Sequence, residues 1–160
     1  MVRDLIALDD SSKVWLYQAD KVFTDNETEL IRKRLFEFLE NWTSHNRDLL
    51  TYGNVFHKRF LGIFVDESIA GASGCSIDKS VHFMESLSAQ FNTDFFRRDL
   101  FTYIKDDEIH EIQFARMKTA YAQKEIDDNT LFFDNLVKDK ESFLNSWLVP
   151  LKDSWHKRFI

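Results

Sequence analysis

Val65-Asp-Glu-Ser-Ile-Ala-Gly-Ala-Ser-Gly-Cys-Ser-Ile-Asp-Lys-Ser-Val-His-Phe83 joins an apolar run to a helical pattern through a stretch of small residues. The run closes on two carboxylates, Asp66 and Glu67. Beyond the small residues, Ile77, Val81, Met84, Leu87, Ser88 and Phe91 share one face at helical spacing. Two of the four glycines and the only cysteine lie in this junction. Strand, Gly/Ser loop and helix in succession is a common way to build an anion or substrate site. The first N–H groups of a helix have no partner inside it and point outward. The site is therefore expected where the loop 66–76 meets a helix over 77–91.

Outward from the junction, the chain alternates elements without a linker. Val14 to Tyr17 read as a strand. Thr24-x-x-Glu27 reads as a capping box, followed by a stripe of Ile31, Leu35, Phe38, Leu39 and Trp42 on a helix ending near Asn46. Gly53-Asn54 is the expected hairpin turn, with a long strand from Val55 to Val65 behind it. Downstream, Phe101 to Ile104 and Ile109 to Ile112 flank the acidic turn 105–108 as a second hairpin. Phe114, Met117 and Tyr121 mark a short helix, Thr130 to Phe133 a strand, and Phe143 and Trp147 a last short helix. Asp134-Asn135 reads as the turn that ends this strand. The order β-α-β-β-α-β-β-α-β-α, with its two hairpins, predicts an α+β fold: a mixed or largely antiparallel sheet with about four helices packed on it, in one globular domain over 1–160.

Composition narrows the function classes. The chain has 160 residues, 44% hydrophobic and 30% charged, which suits a globular domain able to bury a core. The formal charge is −6, and the halves match, with 10 basic and 13 acidic groups in residues 1–80 and 11 and 14 in residues 81–160. Without a clustered basic block, nucleic-acid binding is not expected. No apolar run is long enough to span a bilayer, and Asp4 stands where a signal peptide would be basic. A single cysteine excludes an intrachain disulfide. The expectation is a soluble, cytoplasmic, acidic protein with no membrane partner.

At the junction, Ser73, Gly74, Cys75, Ser76 and Lys79 are the expected ligand-binding residues, suited to a small anion. Cys75, Asp78 and His82, at i, i+3 and i+7, are the catalytic candidates. A helix start beside Cys75 would favour its thiolate, and a base with an orienting carboxylate would complete the parts of nucleophilic catalysis. The plain alternative is a small residue in a tight turn with Asp78 and His82 facing water. Gly71, Gly74 and Lys79-Ser80 have the residue types of a P-loop but not its spacing. His82-x-x-Glu85 and His110-Glu111 offer metal-ligating types, but a structural zinc site generally wants paired cysteines, so neither metal nor cofactor is expected. In the C-terminal stretch 147–160, Trp155, Phe159 and Ile160 would be poorly placed in water. They pack on the chain's own core or dock on a second protomer as a homodimer.

Three segments carry a resemblance: Gly71-Ala-Ser-Gly-Cys-Ser-Ile-Asp-Lys-Ser-Val81, Asp128-x-Thr130-x-x-Phe133-x-Asn135-Leu-Val137 and Asp153-Ser-Trp-His-Lys-Arg-Phe159. With them the chain resembles, nearly end to end, a family of short bacterial proteins, mostly from Bacteroidetes. That family has no established activity and lends no catalytic residue. Its members often carry the label of ATP-binding-cassette transporter ATPase, which implies at most an accessory role here, because neither a Walker A spacing nor a Leu-Ser-Gly-Gly-Gln signature is present.

The leading expectation is a noncatalytic binding or interaction module for a small anionic ligand or a protein partner. The alternative is a thiol-dependent enzyme using Cys75 with a nearby histidine.

Overall fold

Phe60–Asp66 is a near-continuous apolar run, interrupted by Gly62 and closed by Asp66, and this strand is buried along its whole length, as a strand covered on both faces is. It is β5 in a computed structural model that describes residues 1–68 and 70–160. The chain forms two compact units: residues 1–96 with 138–141, and residues 97–137 with 142–160.

In the first unit, β5 is the middle strand of an antiparallel sheet, flanked by β1 (Lys13–Gln18) and β4 (Leu50–Phe56). The capping box forms as expected at the start of α1 (Asp25–Glu40): Glu27 N–H donates to Thr24 Oγ1, and Thr24 N–H donates to the Glu27 carboxylate, both at 3.1 Å. Ile31, Leu35 and Leu39 of α1 join Leu61, Ile63 and Val65 of β5 in one core. Met84, Leu87 and Phe91 of α2 (Gly74–Phe91) complete it.

Three local expectations are corrected here. Helix α1 stops at Glu40, and residues 43–48 form a small hairpin, β2 (Thr43–Ser44) and β3 (Arg47–Asp48), with His45 and Asn46 at its tip. Gly53-Asn54 lies inside β4 and makes no turn. The supposed long strand is interrupted, because the chain reverses at His57-Lys58, both with φ near +54°. Helix α2 starts at Gly74, three residues before the expected Ile77, and Ile77 itself is exposed. Its buried face runs through Ser76, Ser80, Phe83, Met84, Leu87 and Phe91.

The second unit holds a four-stranded antiparallel sheet in the order β7-β6-β8-β9. The hairpin of β6 (Leu100–Lys105) and β7 (Glu108–Gln113) turns at Asp106-Asp107 as expected, both residues having positive φ as a two-residue turn requires. Helix α3 (Met117–Ala122) leads to β8 (Leu131–Phe133), and α4 (Lys140–Ser146) leads to β9 (Leu148–Pro150). Asp134-Asn135 turns the chain: the Asp134 carboxylate accepts from Leu136 N–H at 3.0 Å, and Asn135 accepts from the Trp147 indole at 2.9 Å. Pro150 lies at the end of edge strand β9, where a residue without an N–H is tolerated. The C-terminal residues close as two short 3₁₀ turns on their own unit, with Trp155 and Phe159 both against Phe101 at ring separations of 5.3 and 5.2 Å.

The α+β architecture with four α-helices and antiparallel sheets is therefore as expected, with the strands in three sheets. Among the described residues, no helix is long and apolar enough to cross a membrane.

Candidate functional site

Ser73 ends the loop after β5 in extended conformation and caps α2, accepting a hydrogen bond from Ser76 N–H at 3.1 Å. The Ser76 hydroxyl donates to the Thr43 carbonyl at 2.8 Å, which commits its only hydrogen. The 2.8 Å contact between the two serine oxygens is then a donation from Ser73 to Ser76. The Ser76 carbonyl in turn accepts from the Trp42 indole N–H at 2.9 Å. Ser76 is 2% exposed, so these bonds fix the first turn of α2 against β2 and Trp42, two residues past the end of α1.

Across this latch lies a cavity of about 520 Å³, lined by Ser73, Gly74, Cys75, Ser76 and Lys79 on one side and by Thr43, His45 and Asn46 on the other. All five expected ligand-binding residues therefore share one cavity. Their roles divide. The hydroxyls of Ser73 and Ser76 are engaged with each other and with the backbone, so these serines shape the site. The amides of Gly74 and Cys75 fall at the first two positions of the helix, where no intrahelical acceptor exists. The Lys79 side chain lies one turn further along. None of the eight lining residues is acidic.

The cavity does not include Asp78 or His82. Both are exposed, and His82 Nδ1 lies 3.5 Å from the Glu85 carboxylate. Seven residues of helix separate Cys75 from His82, about 10 Å of rise, so the imidazole does not reach the thiol. The fold brings a different histidine to the cavity that Cys75 lines, His45. Cys75 is exposed. Ile69, within the expected site loop, lies outside the described residues.

Residues 43, 45 and 46 were missed because the α1 pattern was extended to Asn46. Two signals mark the hairpin: the apolar stripe ends at Trp42, and Asn tolerates the left-handed conformation of a turn, here φ +63° at Asn46 and +51° at His45.

Comparison with family models, with curated proteins and with solved structures returns no match.

Proposed function

We propose that the chain is a noncatalytic binding module whose ligand is a small anion, held in the cavity between the β2–β3 tip and the first turn of α2. One observation carries this reading: a cavity lined by a lysine, a histidine and two helix-start amides without intrahelical acceptors, with no carboxylate, in a protein of net charge −6. On such a surface a carboxylate-free concavity with converging donors suits an anion, and the positive end of the α2 dipole adds to them. Nucleotide hydrolysis is not part of the proposal, because Lys79 sits in the second turn of α2 and not at its start. A soluble, cytoplasmic setting belongs to the same reading, supported by the single cysteine. Homodimerisation through the C-terminal residues does not, since Trp155 and Phe159 are already engaged with Phe101.

Titration of the ¹⁵N-labelled protein with inorganic phosphate and with pyrophosphate tests the proposal. The Gly74 and Cys75 amide resonances are expected to move saturably, more weakly at high salt, and Lys79→Ala is expected to weaken binding about tenfold, ~1.4 kcal/mol. Unmoved amides at millimolar anion would rule the reading out.

A second reading, thiol chemistry at Cys75, has one observation in its favour: Cys75 and His45 line the same cavity. It predicts that Cys75 in the folded protein is alkylated at pH 7 faster than the same thiol in the urea-unfolded chain, and more slowly in His45→Ala. Alkylation rates that follow an ordinary thiol, unchanged by His45→Ala, would dismiss it.

A further inference from the structure

In the second unit, β6, β7 and the residues just before and just after α3 line a separate cavity of about 360 Å³, within the ~300–1,000 Å³ range of small-molecule sites. Its apolar floor lies on one face of the hairpin: Ile112, 7% exposed, with the half-buried ring of Tyr103. Its rim is charged and balanced, carrying two arginines, 97 and 116, and two glutamates, 111 and 125. Arg97 is fixed by the Asp99 carboxylate, with Nε to Oδ1 at 2.7 Å and Nη2 to Oδ2 at 3.2 Å.

Arg116 and Glu125 meet at a single contact, Nη2 to Oε2 at 3.1 Å. One pair of heavy atoms leaves most of the guanidinium fork and one carboxylate oxygen available, and both side chains are about half exposed. Such an exposed pair adds little stability, so a ligand opens or flanks it at little cost. Tyr103 stands beside this pair: burial raises its phenol above the ordinary value, Glu125 adds to the rise and Arg116 opposes it. Among the described residues its hydroxyl has no hydrogen-bond partner.

Arg97 is already matched by Asp99, so at the open end a simple anion meets Glu125 beside Arg116, and a simple cation meets Arg116 beside Glu125. Both halves of the rim attract a ligand only when it carries both charges, and the floor requires that it also carry an apolar group. We propose that this cavity is a second binding site, for a small zwitterion with an apolar side group, the chemistry of a free α-amino acid. Its carboxylate takes the open donors of Arg116 and the Tyr103 hydroxyl, its ammonium takes Glu125, and its side group lies on Ile112 and the Tyr103 ring.

The experiment titrates the ¹⁵N-labelled full chain with L-alanine, L-valine, L-leucine, L-methionine and L-phenylalanine separately. The best of these is then compared with its amide, which lacks the carboxylate, and with its deaminated acid. At least one amino acid is expected to saturate below about 10 mM, with shifts at Tyr103, Ile112, Gln113 and Arg116. Either single-charge analogue should bind at least about tenfold more weakly. Arg116→Ala and Glu125→Gln should each reproduce that loss, while Lys79→Ala in the other cavity should leave it unchanged. The proposal is overturned if no amino acid saturates, if the analogues bind as well as the amino acid, or if binding survives both rim substitutions. The analogue comparison keeps the test decisive should a rim variant fold poorly.

Discussion

Gly53 shows what one missing side chain does in this protein. Its φ is not positive, so the backbone does not demand glycine. Space does: a Cβ there would stand 2.6 Å from Leu39 Cδ1 and 2.9 Å from Leu35 Cδ2. Both leucines are 1% exposed and cannot swing into water. Gly53→Ala is therefore expected to push α1 off β4 and to destabilise the protein by about 1–3 kcal/mol, the usual penalty for overpacking. Gly74 is the internal control, since a Cβ there meets nothing within 4 Å. Gly74→Ala should be neutral or stabilising by up to ~1 kcal/mol, because alanine favours the helix and restricts the unfolded chain. Urea denaturation of the two variants reads both values, and a Gly53→Ala protein as stable as the parent would contradict the close-approach argument. A glycine at a turn and a glycine under a helix look alike in a sequence. The reading of Gly53-Asn54 as a turn failed for that reason.

At the scale of elements, legibility followed how local the cause was. The capping box at Thr24 and the acidic turn at Asp106-Asp107 rest on neighbours within a few residues, and each forms where expected. The reversal at His57-Lys58 does not. Lys58 does not favour positive φ, and the turn is held by distant partners: Arg59, 3% exposed, donates from Nε to the Ala19 carbonyl at 3.0 Å, and Phe23 N–H donates to the Lys58 carbonyl at 2.7 Å. The candidate anion site divides in the same way. Its α2 side was legible from small residues before an apolar stripe. Its β2–β3 side was not, because Thr43 is tied in through Ser76, more than thirty residues away. The two helix caps separate stability from binding. Thr24→Ala and Ser73→Ala should each destabilise by about 1 kcal/mol, the typical value of an N-cap. Only Ser73→Ala should also weaken phosphate binding, since it frees Ser76 and loosens the first turn of α2. Equal phosphate affinity in the two variants would separate the cap from the site.

Across the whole molecule, the two units contain groups whose proton binding changes on folding over different pH ranges. In the first, Asp66 is 6% exposed, and the Ser68 hydroxyl with the amides of Ser68 and Asp9 holds its carboxyl below the usual carboxylate range. A depressed carboxylate stabilises the fold above its unfolded value of 3.8, and this contribution is lost only as the pH falls below that. In the second unit, His156 is 2% exposed among Phe101, Phe132 and Trp155, with its Nδ1 2.5 Å from Ser154 Oγ. Burial lowers its pKa from 6.5 to about 4. Between those two values the unfolded chain binds a proton that the folded unit refuses, so stability falls as the pH drops from 6.5 to about 4 and levels off below. The loss attributable to this residue is about 3 kcal/mol. Urea titrations followed residue by residue in ¹H–¹⁵N spectra at pH 7, 5.5 and 4.5 should show β6, β8 and the C-terminal turns weakening across this range. Partial burial also lowers the pKa of His57 at the β4–β5 reversal, so α1, β4 and β5 should weaken over the same range but less, because His57 is exposed where His156 is buried. His156→Phe, which keeps a ring among the same aromatic neighbours but carries no proton, should flatten the pH dependence of the second unit even if it shifts its absolute stability. A second unit that loses stability in the same pH range with phenylalanine at position 156 would move the cause to another group.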